Sequence, residues 1–186
     1  MPRRTAYRRQ RRRFFVGCEG DSEVGYAAFI GLLADESGLA VHLDIRRCRG
    51  GDPLAVVMTA VRELQTRRRR HGPYAGQAIF LDADRRDDAP IRTAEADQLI
   101  REHGFCAVWS EPTLEALLLR HFRGRQRSQP ATATLALRRL HSCWPGYRKG
   151  MVARELRDEF DIAAITRAAA VMPELRTFLV AIGLLG

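Results

Sequence analysis

Short apolar runs alternate with longer amphipathic segments along the first part of the chain. Three of the runs are apolar on both faces, as in interior strands of a parallel sheet, and a fourth alternates apolar with polar side chains. The predicted strands cover 14–18, 41–46, 78–81 and 105–109, and the predicted helices cover 23–33, 54–70, 91–103 and 110–122. This alternation predicts an α/β fold, with a small, mainly parallel sheet flanked by helices in a Rossmann-like arrangement.

The pattern changes after Phe122. Residues 123–130 are polar and predict a loop, 132–140 predict a short helix, and 147–150 predict a turn. Two longer helices are predicted over 151–170 and 173–184. We therefore expect three parts: a basic disordered arm over 1–13, an α/β domain over 14–150, and C-terminal helices over 151–186 that pack on the same domain.

Positive charge is concentrated at the start of the chain. Residues 1–13 hold seven arginines and no acid, and without them the net charge falls from +9 to +2. Such an arm can neutralise phosphates of nucleic acid, although a solvated terminus with no ligand is an equal alternative. The predicted nucleic-acid contacts are Arg3, Arg4, Arg8, Arg9, Arg11, Arg12 and Arg13, extended by Arg85 and Arg86 and by Arg46 and Arg49.

Several classes of protein are disfavoured. The chain has no run of about 18 apolar residues, so a spanning helix is not expected, and no apolar segment typical of a secretory signal follows the first arginines. A cytoplasmic location without membrane contact is the expectation. The four cysteines lie far apart, which argues against a zinc site or a disulfide framework, and Cys18 and Cys106 are expected to be small buried side chains.

Carboxylates follow two of the predicted strands. Glu19 comes after the first strand, and Asp82 and Asp84 come after the third. Ligands of open α/β sheets bind beyond the carboxyl ends of the strands, and alternation along a strand predicts that Asp82 and Asp84 point to the same side. Oxygen ligands of this kind suit Mg²⁺ or Mn²⁺. The alternative is that these acids only cap a strand end and a solvated turn.

Four polar residues further along the chain are weaker candidates. Glu115 lies one helical turn after Glu111, so the two are expected to share a helix face, whereas His121 need not join them. A lone histidine here is more often a helix-end residue near the helix dipole than a catalytic residue. Lys149, in the predicted turn, is a candidate for phosphate contact.

With these residues assembled, the chain resembles RloB-like proteins, which belong to the wider Toprim group of metal-dependent nucleic-acid enzymes. The resemblance covers about residues 14–150 and is carried by the order and spacing of several short motifs. These are Phe15-Val16-Gly17-Cys18-Glu19-Gly20-Asp21-Ser22-Glu23, Arg49-Gly50-Gly51-Asp52-Pro53, Ile79-Phe80-Leu81-Asp82-Ala83-Asp84, Ser110-Glu111-Pro112-Thr113-Leu114-Glu115-Ala116-Leu117-Leu118-Leu119-Arg120-His121-Phe122 and Tyr147-Arg148-Lys149. The family commonly has Asn-Pro and an aromatic residue where this chain has Glu111-Pro112 and Leu114.

The resemblance implies a Toprim-like fold in which Glu19 takes the place of the group's glutamate, and Asp82 and Asp84 that of its metal-binding pair. It also implies that the chain is an enzyme, a Mg²⁺-dependent nuclease linked to prokaryotic restriction or phage defence. The alternative is a non-catalytic subunit of a defence complex that binds nucleic acid or a partner protein. DNA and RNA substrates, a defence-system partner protein and self-association all remain open.

Overall fold

The predicted strands form one four-stranded sheet in which every strand is parallel to its neighbours. A computed structural model describes residues 10–49, 51–86 and 88–186. The strands are β1 (Arg12–Cys18), β2 (Val41–Arg47), β3 (Gly76–Asp82) and β4 (Cys106–Ser110), and their order across the sheet is β2-β1-β3-β4. The predicted α/β class with a parallel sheet is confirmed.

Helices cover both faces of this sheet. They are α1 (Asp21–Glu36), α2 (Pro53–His71), α3 (Pro90–Glu102), α4 (Leu114–Leu119), α5 (Ala133–Cys143), α6 (Ala153–Glu159), α7 (Ile162–Ala169) and α8 (Pro173–Ile182). Helices α2 and α3 supply apolar side chains to one core, while α1 and α4 to α8 supply them to a larger core on the opposite face. The C-terminal helices therefore complete one of the two layers.

Strand alternation explains the two cores. Phe14 and Val16 of β1 point into the larger core, whereas Phe15 points into the smaller one with Ile79 of β3. All four side chains are almost completely buried. By the same alternation Asp82 faces the larger core, the side on which α1 and α4 pack.

Two predicted helices differ from those observed. The segment predicted as one helix over 151–170 is divided, because Phe160 is extended and buried between α6 and α7, and the carboxylate of Asp161 accepts a hydrogen bond from the amide of Ala164 at 2.7 Å. Asp161 is therefore the N-cap of α7, which begins as a separate helix. Helix α4 is also shorter than the predicted 110–122, since it begins at Leu114 and ends at Leu119.

Some side chains predicted to be exposed are buried, and the reverse also occurs. Asp44 belongs to the predicted polar face of β2 but is buried, because it accepts a hydrogen bond from the hydroxyl of Tyr74 and pairs with Arg46 at 2.6 Å and Arg13 at 3.6 Å. Cys18 is fully buried as expected, while Cys106 is partly exposed. In the described part of the chain, no helix combines the length and apolar character needed to cross a membrane.

Candidate functional site

The strand order of the sheet reverses between β1 and β3, so the carboxyl ends of these two strands form a topological switch point. The chain leaves β1 toward β2 on one side, and β3 pairs with β1 on the other. Ligands of open α/β sheets bind in the crevice at such a point. Glu19 directly follows β1, Asp82 ends β3, and the amide of Asp82 donates a hydrogen bond to Oε2 of Glu19 at 3.1 Å.

Asp82 and the four acids that act on its pKa, Glu19, Glu23, Asp84 and Glu115, form what we call the carboxylate group. Oδ1 of Asp82 accepts a hydrogen bond from the amide of Leu114, the first residue of α4, at 2.9 Å. Burial, and then the nearby carboxylates of Glu23, Glu19, Glu115 and Asp84 in that order, raise the pKa of Asp82 to about 9. A partly buried carboxylate near four others favours either a proton or a bound cation.

Glu23 belongs to this group, although the sequence analysis treated it only as the start of a helix. It lies in the first turn of α1, is 4% exposed, and accepts a hydrogen bond from the amide of Gly20 at 2.9 Å. Burial raises its pKa, and Glu19 and Glu115 add to that increase. The sequence could have indicated this position of Glu23, because Glu23 follows Glu19 by four residues and the helix begins between them.

Glu115 is the most deeply buried of these acids. It is 2% exposed, and its carboxylate accepts hydrogen bonds from the hydroxyls of Thr113 at 2.6 Å and Tyr147 at 3.0 Å. The amine of Lys149 lies 3.6 Å from the same carboxylate and is itself largely exposed. Burial and Glu115 together raise the pKa of the Tyr147 hydroxyl, which therefore stays protonated and donates.

Two backbone contacts hold the 147–150 segment over the start of α1. The amide of Gly150 donates a hydrogen bond to the hydroxyl of Ser22 at 3.1 Å. The carbonyl oxygen of Met151 lies where a Cβ on Gly25 would be, at 2.0 Å from that position. Only glycine permits this approach, and it places Tyr147 and Lys149 beside the carboxylates.

Ser110 adds a polar group that the sequence analysis missed at the end of an apolar strand. It pairs with Asp82 in the register of β3 and β4, and alternation places both side chains on the same face of the sheet. Ser110 is fully buried, and its hydroxyl oxygen has no hydrogen-bond partner among the described residues. A buried hydroxyl without a partner is uncommon and is consistent with a partner supplied by a ligand or ordered water.

The oxygen atoms of these side chains are suitable ligands for a divalent cation. Carboxylate oxygens are the ligands that Mg²⁺ and Mn²⁺ prefer, and the unpartnered hydroxyl of Ser110 lies beside Asp82. No three His, Cys, Asp or Glu side chains within the described ranges already surround one point. Mg²⁺ commonly takes only one or two carboxylates and completes its shell with water and phosphate oxygens. Glu19 and Asp82 are the two residues that would hold it.

Asp84 lies in the turn that follows β3, beyond the end of the strand to which alternation applies. Strand β3 ends at Asp82, and the amide of Ala83 bonds to the carbonyls of Ser110 and Pro112 at 2.9 and 3.0 Å. This turns the chain, so Asp84 begins an exposed turn rather than continuing the strand. Its carboxylate is still close enough to raise the pKa of Glu19, in addition to the larger effect of burial.

Glu111 and His121 are not brought into the carboxylate group. Glu111 is exposed and precedes α4, so it does not share a helix face with the buried Glu115. The imidazole of His121 is fully buried and lies 3.1 Å from both the Tyr26 hydroxyl and the Leu117 carbonyl. It packs against aromatic rings of the larger core.

The described arginines of the predicted arm lie at the opposite end of the sheet from the carboxylates. Arg12 and Arg13 belong to β1, whose seven residues span about 20 Å. Arg12 donates to the carbonyl of Ile182 at 3.0 Å, Arg13 to that of His71 at 2.6 Å, and Arg11 pairs with an aspartate on α1 at 3.2 Å. Three arginines predicted to bind nucleic acid therefore have partners within the fold. Outside the described residues lie Arg3, Arg4, Arg8 and Arg9.

Arg85 and Arg86 follow the carboxyl end of β3 and are close to the candidate site. The exposed Arg85 donates to the carbonyl of Gly51. Arg86 pairs with Asp97 at 2.8 Å and lies over the ring of Trp109, with its guanidinium carbon 4.3 Å from the ring centroid. Both follow the end of β3, at the edge of the sheet that carries Glu19 and Asp82.

Comparison of the chain with models of known protein families, with curated proteins and with solved structures finds no match.

Proposed function

We propose that this protein is a metal-dependent nuclease that hydrolyses phosphodiester bonds with Mg²⁺ or Mn²⁺. The observation that carries the proposal is the hydrogen bond from Asp82 to Glu19 at the β1/β3 switch point, with Glu23 and Glu115 buried beside them. Hard oxygen donors at that edge of a parallel sheet suit a cation and a phosphate together.

Each of these side chains has a role that follows from its contacts. Glu19 and Asp82 would hold the cation, which when bound supplies charge neutralisation and a water of lowered pKa. If Asp82 alone holds the cation, Glu19, whose pKa is raised by burial, can instead accept a proton from the attacking water. Lys149 is exposed beside Glu115 and can contact a phosphate oxygen of the substrate.

Glu115 is better placed as a positioning residue than as a metal ligand. Both of its oxygens already accept hydrogen bonds, from Thr113 and Tyr147, and its charge is buried. It keeps the segment that carries Lys149 against the site. Its negative charge also adds to the field that favours a cation near Asp82.

The resemblance to RloB-like proteins over about residues 14–150 supports the same reaction. With it the proposal includes a role in prokaryotic defence, a cytoplasmic location, and a nucleic-acid substrate, either DNA or RNA. Phosphates would reach the site beside Arg85 and Arg86, which lie at the correct end of the sheet, rather than beside Arg12 and Arg13.

The test is a cleavage assay with purified full-length protein. Single- and double-stranded DNA and structured RNA are each incubated with Mg²⁺, Mn²⁺ or EDTA. We expect cleavage with metal, and its loss in Asp82→Asn and Glu19→Gln. Asp158→Asn removes one exposed carboxylate on α6 and serves as the control that keeps full activity.

The melting temperature with and without metal separates this proposal from its alternative. A bound cation stabilises the folded state by mass action, so Mg²⁺ should raise the melting temperature of the wild type but not of Asp82→Asn. Absence of both cleavage and a metal-dependent shift would contradict the proposal. It would favour a non-catalytic subunit that binds nucleic acid or a partner protein.

A further inference from the structure

A polar cleft with a volume of about 810 Å³ begins next to the carboxylate group. Ala83 and Asp84, which directly follow β3, form part of its wall, and so does Pro112 before α4. The cleft is therefore continuous with the end of the sheet at which Asp82 lies. A substrate bound at Asp82 would extend into it.

Arg120 lines this cleft and is almost completely buried. Its residue exposure is 9%, and burial lowers its pKa, against a smaller opposing effect of Glu111. Its one side-chain hydrogen bond runs from Nε to the carbonyl of Ser128 at 3.5 Å, the outer limit for such a bond. Among the described residues, no carboxylate lies within 4.0 Å of its guanidinium, in contrast to Arg86 on the same cleft.

Arg120 is only 9% exposed as a residue, yet its guanidinium has a single hydrogen-bond partner among the described residues. Burying a charge costs free energy unless it is paired and hydrogen-bonded, and arginine is almost never fully buried without such pairing. Arg120 also lines a second cavity of about 330 Å³, together with Gln126 and Arg127. Arg120 is therefore common to two cavities, and an anion could reach it from either.

From these observations we infer that Arg120 binds a phosphodiester group of the nucleic-acid strand, next to the linkage that is cleaved. The planar guanidinium matches two phosphate oxygens with two parallel N–H donors. This inference rests on the proposed nuclease function and names the residue that positions its substrate. Arg86, fixed by Asp97 and by the ring of Trp109, lies on the same cleft as a second cation.

The other charges of the cleft favour a diester over free phosphate. Asp84 and Glu111 are exposed carboxylates that line it, and both repel anions. A phosphodiester carries one negative charge, whereas a phosphate monoester carries about 1.5 to 2 at neutral pH. The repulsion is therefore smaller for one diester group than for one inorganic phosphate ion.

Binding is tested in EDTA, where metal-dependent cleavage does not occur. The probes are a trinucleotide without terminal phosphates, as DNA and as RNA, and inorganic phosphate. Each is titrated into full-length ¹⁵N-labelled protein at constant ionic strength. NMR reports the dissociation constant and the shift of the Arg120 Nε–H signal.

Three variants give the comparison. Arg120→Gln removes the charge, Arg120→Lys keeps the charge but loses the planar fork, and Arg123→Gln removes an exposed charge that lines neither cavity. We expect Arg120→Gln to weaken trinucleotide binding on the order of tenfold and Arg120→Lys to be intermediate. Arg123→Gln should change it less than twofold. Because Arg120→Lys retains charge and volume, it keeps the test valid if Arg120→Gln folds poorly.

Equal affinities of Arg120→Gln, Arg120→Lys and Arg123→Gln would overturn the inference, and so would binding of inorganic phosphate alone. The proposed function fails in a different way. If the wild type binds the trinucleotide through Arg120 but no metal-dependent cleavage is found, the phosphodiester site stands and the nuclease does not. If cleavage requires Asp82 but is unaffected in Arg120→Gln, the nuclease stands and this site does not.

Discussion

The backbone amide of Asp82 donates a hydrogen bond to the carboxylate of Glu19, a residue 63 positions earlier in the chain. The contact exists because β1 and β3 are adjacent and end at the same edge of the sheet. It fixes one oxygen of Glu19 beside Asp82, whose pKa is raised to about 9 by burial and, to a smaller extent, by neighbouring acids. The properties of this pair can be measured without knowledge of the substrate.

Asp82→Asn should stabilise the protein in the absence of metal. The change removes a buried acid from among Glu19, Glu23 and Glu115, while the asparagine oxygen can still accept the hydrogen bond from Leu114. With a pKa of about 9 the folded Asp82 must take up a proton at neutral pH, whereas asparagine needs none, so the free energy of unfolding should rise by about 0.5–2 kcal/mol. Urea unfolding in EDTA measures it. A loss of stability, with Asp158→Asn unchanged, would contradict the repulsion described here.

Tyr147→Phe should destabilise the protein. The tyrosine hydroxyl donates to the buried carboxylate of Glu115 at 3.0 Å, and a hydrogen bond to a charged group is worth roughly 1.5–3 kcal/mol. The same substitution in a Glu115→Gln background should cost less, because the acceptor is then neutral. A double-mutant cycle from urea unfolding gives the coupling energy, and a coupling near zero would show that this bond does not hold the 147–150 segment.

Gly25→Ala and Gly31→Ala, both in α1, should have opposite effects. A Cβ at Gly25 would lie 2.0 Å from the carbonyl oxygen of Met151, so backbone must move, at a cost of roughly 1–3 kcal/mol. A Cβ at Gly31 would meet Leu43 at 3.6 Å, an ordinary contact, and alanine is the better helix former by roughly 0.5–1 kcal/mol. Thermal and urea unfolding of the two variants should therefore move to opposite sides of the wild type.

His121 should make the protein less stable in acid. Burial lowers its pKa to about 4, and the nearby positive charge of Arg167 also opposes protonation. The unfolded chain takes up a proton near pH 6.5 but the folded chain does not until about pH 4, so folding free energy is lost as the pH falls through this window. The loss between pH 7 and pH 4.5 is about 2–3 kcal/mol.

The control for this pH effect is His121→Gln, which cannot titrate. The acids with raised pKa act in the opposite direction, since they favour the folded state when protonated, and they are present in both proteins. The difference between wild type and variant therefore isolates His121. Equal pH dependence of unfolding in both would show that the imidazole is protonated inside the core, next to Tyr26.

The strands were predictable because local pattern determines them. Continuous apolar runs such as Ile79 to Leu81 have no stable position except inside a covered parallel sheet, and Asp52-Pro53 marks the start of α2 with a side-chain cap and a fixed φ. The division of 151–170 into two helices was not predictable in this way, because it depends on the burial of Phe160 against α1 and its neighbours.

The sequence by itself determined the fold class, and it placed Glu19 and Asp82 at strand ends, since alternation and turn residues act over a few positions. Only the tertiary structure decided which side chains meet. Glu23 and Glu115 are buried near Glu19 and Asp82, whereas Asp84 lies in an exposed turn. His121 lies in the core, and Arg120 lines the cleft without a paired carboxylate among the described residues. These outcomes depend on contacts between residues far apart in the chain, where burial and the mutual repulsion of charges, rather than local pattern, determine the free energy.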